Sequence, residues 1–278
     1  MNYENLFTYG PTEWTLFALI LMISYGAHFA FAGYFAFASF QLAPRYRIVA
    51  WMSGVVMISA GLSLMREHTS LMETFRWTGE VWAPMLPETG VFSNAFRYGN
   101  WIVTVPILLV QLPLAMALPK SELYARSTRL ILAGEGMIVT GLIGQFYEVT
   151  STGTALIWAA VSTAFFVWLL IEIRGVITSA KGRLPARLVP WADRLWWFMF
   201  TVWWIYVAAS IAPMLSPDVT GVLWRQGLFT VADVTSKLVY GLILSRFLLR
   251  LGASEGYVPS AEALGEAPTP SADVVALR

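Results

Sequence analysis

Cysteine is absent from the 278-residue chain, which excludes disulfides, thiolate metal centres and thiol nucleophiles together. Histidine is nearly absent, with two copies, too few for a histidine-built metal site. Charge is also scarce: 13% of residues are Asp, Glu, Lys or Arg, about half the ~25% of a soluble domain. By contrast, 57% are hydrophobic and the mean hydropathy is +0.62. Eighteen basic residues nearly cancel seventeen acidic ones, so the balance identifies no partner and no nucleic-acid binding is expected. No basic run precedes the first apolar stretch, so no cleaved signal peptide is expected. Nor is an enzyme expected: no residues are assigned to catalysis or to a metal. What these absences leave is an integral membrane protein.

Charged residues divide the chain into apolar spans at about 14–44, 48–65, 98–119, 130–147, 149–171, 195–217 and 226–245. Each approaches or exceeds the ~18–20 residues that cross a bilayer as a helix. The expected fold is all-α: seven transmembrane helices in an up-and-down bundle, because most connections are short. Lys and Arg placement sets the orientation. With the N-terminus outside and the C-terminus cytoplasmic, 13 of the 18 basic residues (Arg45, Arg47, Lys120, Arg126, Arg129, Arg174, Lys181, Arg183, Arg187, Arg194, Arg246, Arg250 and Arg278) fall inside. The protein is thus expected in the plasma (inner) membrane. Residues 1–251 form the membrane domain, and 252–278, rich in small residues, Gly and Pro, read as a mostly disordered cytoplasmic tail. The long outer connection 66–93, with Trp77, Trp82, Pro84, Pro87 and Gly90, is expected to form a short hairpin over the bundle mouth.

Two charges interrupt the last span. Asp233 and Lys237 lie four apart, on one face of a helix. Ionised groups in mid-membrane cost about 2.5–3.5 kcal/mol and usually mark function. Two readings are open: a buried salt bridge that pins helices, or a desolvated lysine kept for Schiff-base chemistry with a carboxylate beside it. The third span carries a polar stripe without a carboxylate. Asn100 and Thr104 are one turn apart, and Gln111 lies on the same stripe about 16 Å deeper. Arg97 sits one turn outside Asn100, and Pro106 interrupts the helix between Thr104 and Gln111.

Arg97-Tyr98-x-Asn100-Trp101-x-x-Thr104-x-Pro106, with Asp233-x-x-x-Lys237, resembles the microbial (type 1) rhodopsins, and the likeness touches essentially every helix. Thr140-Gly141, Trp158, Ser162-Thr163 and Trp203-x-x-Tyr206 agree with it. Asn100, Thr104 and Gln111 look like the Asn-Thr-Gln class of light-driven chloride pumps, as do the Leu42-Ala-Pro44-Arg-Tyr-Arg-Ile48 turn and Gly256-Tyr-Val-Pro259. One departure is Val207, where the family usually has proline after Tyr206. The resemblance implies all-trans retinal bound covalently to Lys237 as a protonated Schiff base, with Asp233 as a counterion. Trp101, Leu108, Met137, Gly141, Ser162, Phe166, Trp203 and Tyr206 would form its pocket. Leucine at 108 is the green-absorbing choice.

Such a pigment needs a proton acceptor beside the Schiff base to pump protons, and Asn100 cannot accept one. Asp233 and Arg97 nearly cancel each other, so an anion from solution is expected to complete the charge balance. Asn100, Thr104, Ser53 and Arg97 would hold it. Gln111 would line its path inward, and Arg225 would receive it at the outer mouth. The expected function is light-driven inward transport of chloride or another halide; the alternatives are a sensory photoreceptor or, less favoured, a proton or sodium pump. Lipid is the expected surrounding, and homo-oligomers are compatible with the sequence. His28 is expected to be a packed, hydrogen-bonded residue, Glu148 a solvated or structural carboxylate, and Glu135 to be near a helix end or paired.

Overall fold

The computed structural model describes residues 2–85 and 91–267. Seven spans are long and apolar enough to cross a membrane. They comprise α1 (Pro11–Ala38), α2 (Arg47–Thr74), α3 (Ala95–Ala115), α4 (Lys120–Phe146), α5 (Thr152–Lys181), α6 (Val189–Leu215) and a composite seventh span. That last span is α-helical over α7 (Val219–Asp233), π-helical over Val234–Val239, and α-helical again over α8 (Tyr240–Ser254). Sequential helices pack side by side, and α1 meets α7 to close the ring. On α1 the buried residues include Trp14, Phe17, Leu21, Ser24 and His28, a 3-and-4 spacing that carries two polar groups into the interior. Phe37 and Leu215, over 70% exposed, belong to the apolar outer surface that a bilayer covers.

Helix ends follow from local chemistry. Pro11 opens α1, and Glu13 accepts the Gly10 N–H (2.8 Å). Ser151 caps α5 and Asp218 caps α7, its Oδ1 accepting the Gly221 N–H at 2.9 Å. The Gly221 N–H and the Ser216 hydroxyl hold the Asp218 carboxyl below its usual pKa.

The helices run past the apolar spans, and charged residues in the added turns are paired. Arg66 meets Glu73 (2.8 Å), Arg126 meets Glu172 (3.1 Å), and Asp193 accepts both Arg174 (2.9 Å) and Lys181 (2.7 Å). In the connection 66–93, α2 persists to Thr74. Only then do β1 (Phe75–Trp77) and β2 (Trp82–Pro84) pair antiparallel, Phe75 opposite Pro84 and Trp77 opposite Trp82. Gly79, at φ +104°, permits the turn. The expected hairpin is therefore present but shorter, and Pro87 and Gly90 lie outside the described residues. Tyr9 extends the hairpin through two backbone hydrogen bonds to Trp82, and Trp14 stacks on Trp82 at 4.5 Å. Beneath them, Phe17, Leu71, Phe75, Phe92 and Val222 form a separate aromatic and aliphatic cluster. We call this the hairpin end of the bundle; the charge bias expects it outside.

The tail requires a correction. α8 continues to Ser254, and a further helix, α9 (Val258–Leu264), folds back on the bundle. Pro259 starts it, and Gly265 (φ +68°) ends it in the left-handed conformation. Ser260 donates to the Gln41 carbonyl (2.9 Å), Tyr46 donates to Glu255 (2.8 Å), and Arg47 donates to the Tyr257 hydroxyl (3.2 Å). Small residues that suggest disorder here permit close packing: a Cβ at Gly252 would meet Ser260 Oγ at 2.8 Å. Residues 268–278 of the expected tail lie outside the described residues.

Candidate functional site

Lys237 and Asp233 share one buried face of the seventh span, 2% and 0% exposed. The π segment begins directly after Asp233 and contains Lys237; such interruptions recur at functional sites. Lys237 Nζ donates to Asp233 Oδ1 and lies 3.4 Å from the Tyr206 hydroxyl. Asp233 also accepts from Arg97 Nη1 (2.8 Å), Trp101 Nε1 (3.0 Å) and the Tyr206 hydroxyl (2.9 Å). Four donors converge on one carboxylate.

Arg97 is wholly buried and has a partner for each nitrogen. Nη1 serves Asp233, Nη2 donates to Gln226 Oε1 (3.1 Å), and Nε donates to Glu67 (3.1 Å). Its guanidinium is committed to protein groups rather than open to a free anion. A cavity that shares Trp101 and Tyr206 with this cluster is walled by Tyr98, Trp101, Met137, Ile138, Gly141, Ser162, Thr163, Phe166, Trp203, Tyr206, Val207 and Ser210. Trp101 and Tyr206 meet edge to face at 5.1 Å. Ser162 donates to the Met137 carbonyl (2.7 Å). A Cβ at Gly141 would come within 3.3 Å of both Ser162 and Tyr98, so glycine keeps this wall thin. Leu108 is buried in the core and its carbonyl accepts from Tyr240 (3.5 Å), but it does not line this cavity.

The polar stripe of α3 divides in two. Asn100 is 1% exposed, and among the described residues neither its amide nitrogen nor its oxygen has a hydrogen-bond partner. Buried amides are rarely left so. Thr104 is buried one turn on and donates to the Asn100 carbonyl (2.8 Å). Gln111 instead donates to the Val49 carbonyl (2.9 Å) and to Ser53 Oγ (2.8 Å). Ser53, expected beside Asn100, thus belongs to the deeper Gln111 end, because α2 presents it two turns past Thr104.

Arg225 also departs from expectation. It is 2% exposed, pairs with Glu148 through two bonds (2.9 and 3.1 Å), and lies 3.5 Å from Glu4. A guanidinium held by two carboxylates is a structural tie, not an open anion receptor, and Glu148 is its partner. Burial pushes the Glu148 carboxyl above its ordinary range while Arg225 pulls it back. Gln226 links this cluster to Arg97, donating to Glu4 Oε1 and Asn94 Oδ1 (both 2.8 Å). His28 is buried as expected, with Nδ1 on the Ser24 carbonyl (2.7 Å). Glu135 is neither paired through Oε1 nor near a helix end: it sits mid-α4, half-buried.

The model of the bacteriorhodopsin-like proteins matches residues 15–251. The chain belongs to this family of microbial rhodopsins. Its curated relatives include bacteriorhodopsin-I of Haloarcula marismortui, 26% identical over 64% of this chain and 68% of the relative. Bacteriorhodopsin of Halobacterium salinarum is 30% identical over 59% of this chain and 61% of the relative. The fold is similar to that of xanthorhodopsin, a light-driven ion pump with dual chromophore, at a TM-score of 0.79 and 27% identity, covering 94% of this chain and 99% of that one. A thermophilic rhodopsin shares the fold at TM-score 0.79 and 22% identity. Microbial rhodopsins are multi-pass proteins of the cell membrane that bind retinal covalently and act as light-driven ion pumps or photoreceptors, not enzymes.

In this rhodopsin, sequence reasoning missed Tyr98 and Ile138 in the cavity wall, and Glu4, Glu67, Asn94 and Gln226 in the polar network. Glu67 had a readable signal. Ser53, Met57, Ala60, Leu64, Glu67 and Leu71 are all buried on α2, a stripe at spacings of three and four that carries the carboxylate inward.

Proposed function

We propose that this rhodopsin is a light-driven inward chloride pump with retinal on Lys237. The single observation that carries the anion is Asn100: a fully buried amide, one turn from Arg97 and Thr104, with no partner for either polar atom. At the place where an outward proton pump needs an acceptor, this chain offers an N–H donor that suits a halide. Thr104 adds a hydroxyl that reaches the same space by rotating off the Asn100 carbonyl.

Retinal fits the residues present. The cavity has flat aromatic walls in Trp101, Trp203 and Tyr206, and Gly141 leaves it open. When bound, retinal supplies visible absorption and a light-driven change of shape that re-aims the charged nitrogen at Lys237. Asp233 holds that charge from one side, with its own position fixed by Trp101, Tyr206 and Arg97. Asn100 and Thr104 cradle the anion on α3. Gln111 and Ser53, neutral and bonded to each other, line the deeper half and neither repel an anion nor supply a proton.

Illumination of cells in unbuffered chloride medium tests the direction. External pH should rise through passive proton uptake, more steeply with a protonophore, and sulfate should abolish the signal. Acidification that a protonophore removes would instead identify an outward proton pump.

A further inference from the structure

Seven ionisable groups are buried together between Lys237 and the hairpin end. Four are carboxylates: Glu4, Glu67, Asp233 and, with its side chain 11% exposed, Glu148. Three are cations: Arg97, Arg225 and Lys237. Counted as ionised, these described residues carry one negative charge in excess, four minus three. An anion at Asn100 would make two. Uncompensated charge away from water is costly, and protein groups change protonation to avoid it.

The carboxylates are unequally supported. Asp233 has four donors. Glu148 accepts from Arg225 twice, from the Tyr3 N–H (3.1 Å) and from Asn2 (3.3 Å). Glu4 accepts from Asn94 (2.9 Å), Gln226 (2.8 Å) and Arg225 (3.5 Å). Among the described residues Glu67 has a single donor. Arg97 Nε lies 3.1 Å from each of its oxygens, and Oε2 makes no hydrogen bond of its own. Oε2 can take a hydrogen while Oε1 keeps the Arg97 N–H.

Resting on the halide reading above, we propose that binding of an anion at Asn100 is coupled to protonation of Glu67, one hydrogen ion entering with each halide. The proton comes from solvent, converts the carboxylate to the acid, and leaves the net charge of the cluster unchanged. Arg97, on α3 between Glu67 and Asn100, joins the two events. The charged groups around Glu67 are Arg97 from α3, Asp233 from the seventh span on the same guanidinium, and Glu4 from the N-terminal segment, reached through Gln226. From α1, His28 is within electrostatic reach of Arg97 and Asp233. On α2 itself, Arg66 turns out to Glu73 and His68 lies edge-on to Tyr25 (5.6 Å).

The test uses the retinal-loaded full chain in the dark. Chloride is titrated between pH 5 and 9 against sulfate at constant ionic strength, with the visible maximum as readout, and proton uptake is followed in unbuffered solution. Wild type should take up about one proton per chloride bound, and its apparent Kd should rise ~tenfold per pH unit above the Glu67 titration. Glu67→Gln keeps the Arg97 acceptor but should take up no proton and bind with a pH-independent Kd. If wild type binds chloride with no uptake and a flat Kd, the coupling is wrong while the transport reading stands. If uptake persists in Glu67→Gln, the proton sits elsewhere, with Glu4 and Glu148 next in line, and the assignment is overturned. If chloride shifts nothing at any pH, the halide reading itself fails. Should Glu67→Gln form no pigment, Glu67→Asp and the wild-type slope and stoichiometry still decide.

Discussion

Asn100→Asp is a clean perturbation because the two side chains have the same shape and the asparagine breaks no hydrogen bond on leaving: neither of its polar atoms has a partner. What changes is charge. At ~4 Å and an effective dielectric near 20, a carboxylate there repels a halide by about 4 kcal/mol, a ~1,000-fold loss of affinity. Solvent does little to screen a side chain that is 1% exposed. In wild type, chloride should move the visible maximum saturably, and to the blue, since a nearer anion stabilises the ground state in which the charge sits at the nitrogen. The Asp variant should show no shift at neutral pH over the chloride range that saturates wild type, and no chloride transport. It need not pump protons, because Gln111 is no proton donor. Acidification that neutralises the new carboxylate should restore the spectral response. A variant that titrates and transports like wild type at neutral pH would show that the anion does not bind at Asn100.

Lys237→Ala should give a colourless protein with excess retinal; a surviving visible band above that of free retinal would refute covalent attachment there. Gly141→Phe should fill the cavity against Ser162 and Tyr98, slowing pigment formation at least tenfold while circular dichroism stays helical. Gln111→Glu removes a donor from the Val49 carbonyl and Ser53, at a cost of about 1–3 kcal/mol, read as earlier thermal bleaching. Asp218→Ala should lower the bleaching temperature at neutral pH. The Asp218 pKa is depressed in the folded state, so its stabilisation is present above the usual carboxylate value of about 4 and lost as pH falls through the depressed one. The gap between variant and wild type should therefore close in strong acid.

Seven spans and the Lys237–Asp233 pair were legible because mid-membrane charge is a strong signal in a chain so poor in charge. The cavity wall was expected from the resemblance instead, and Leu108 does not line it. Helix ends were not legible. Arg66, Arg129 and Glu172 bound apolar spans in sequence, yet each sits inside a helix and is paired. Ser53 was misplaced because its type, not its depth, was readable. Arg225 reads as an interfacial arginine until Glu4, over two hundred residues away, and Glu148 close around it. α9 was hidden because Gly252 and Ser260, which suggest a loose tail, are also the residues that allow tight contact.

The commitment of Arg97 has a mechanical consequence. One guanidinium ties α3 to α2 through Glu67 and to α7 through Asp233 and Gln226, at bonds that water and salt do not reach. The opposite end is held differently. Arg174–Asp193, Arg183–Glu122 and Arg129–Glu172 have cations 44–57% exposed, and such pairs weaken as salt screens them. The bundle is therefore a lever with a stiff fulcrum at the hairpin end and a compliant far end. Raising ionic strength should therefore loosen the α5–α6 tie Arg174–Asp193 without loosening the grip on Asp233.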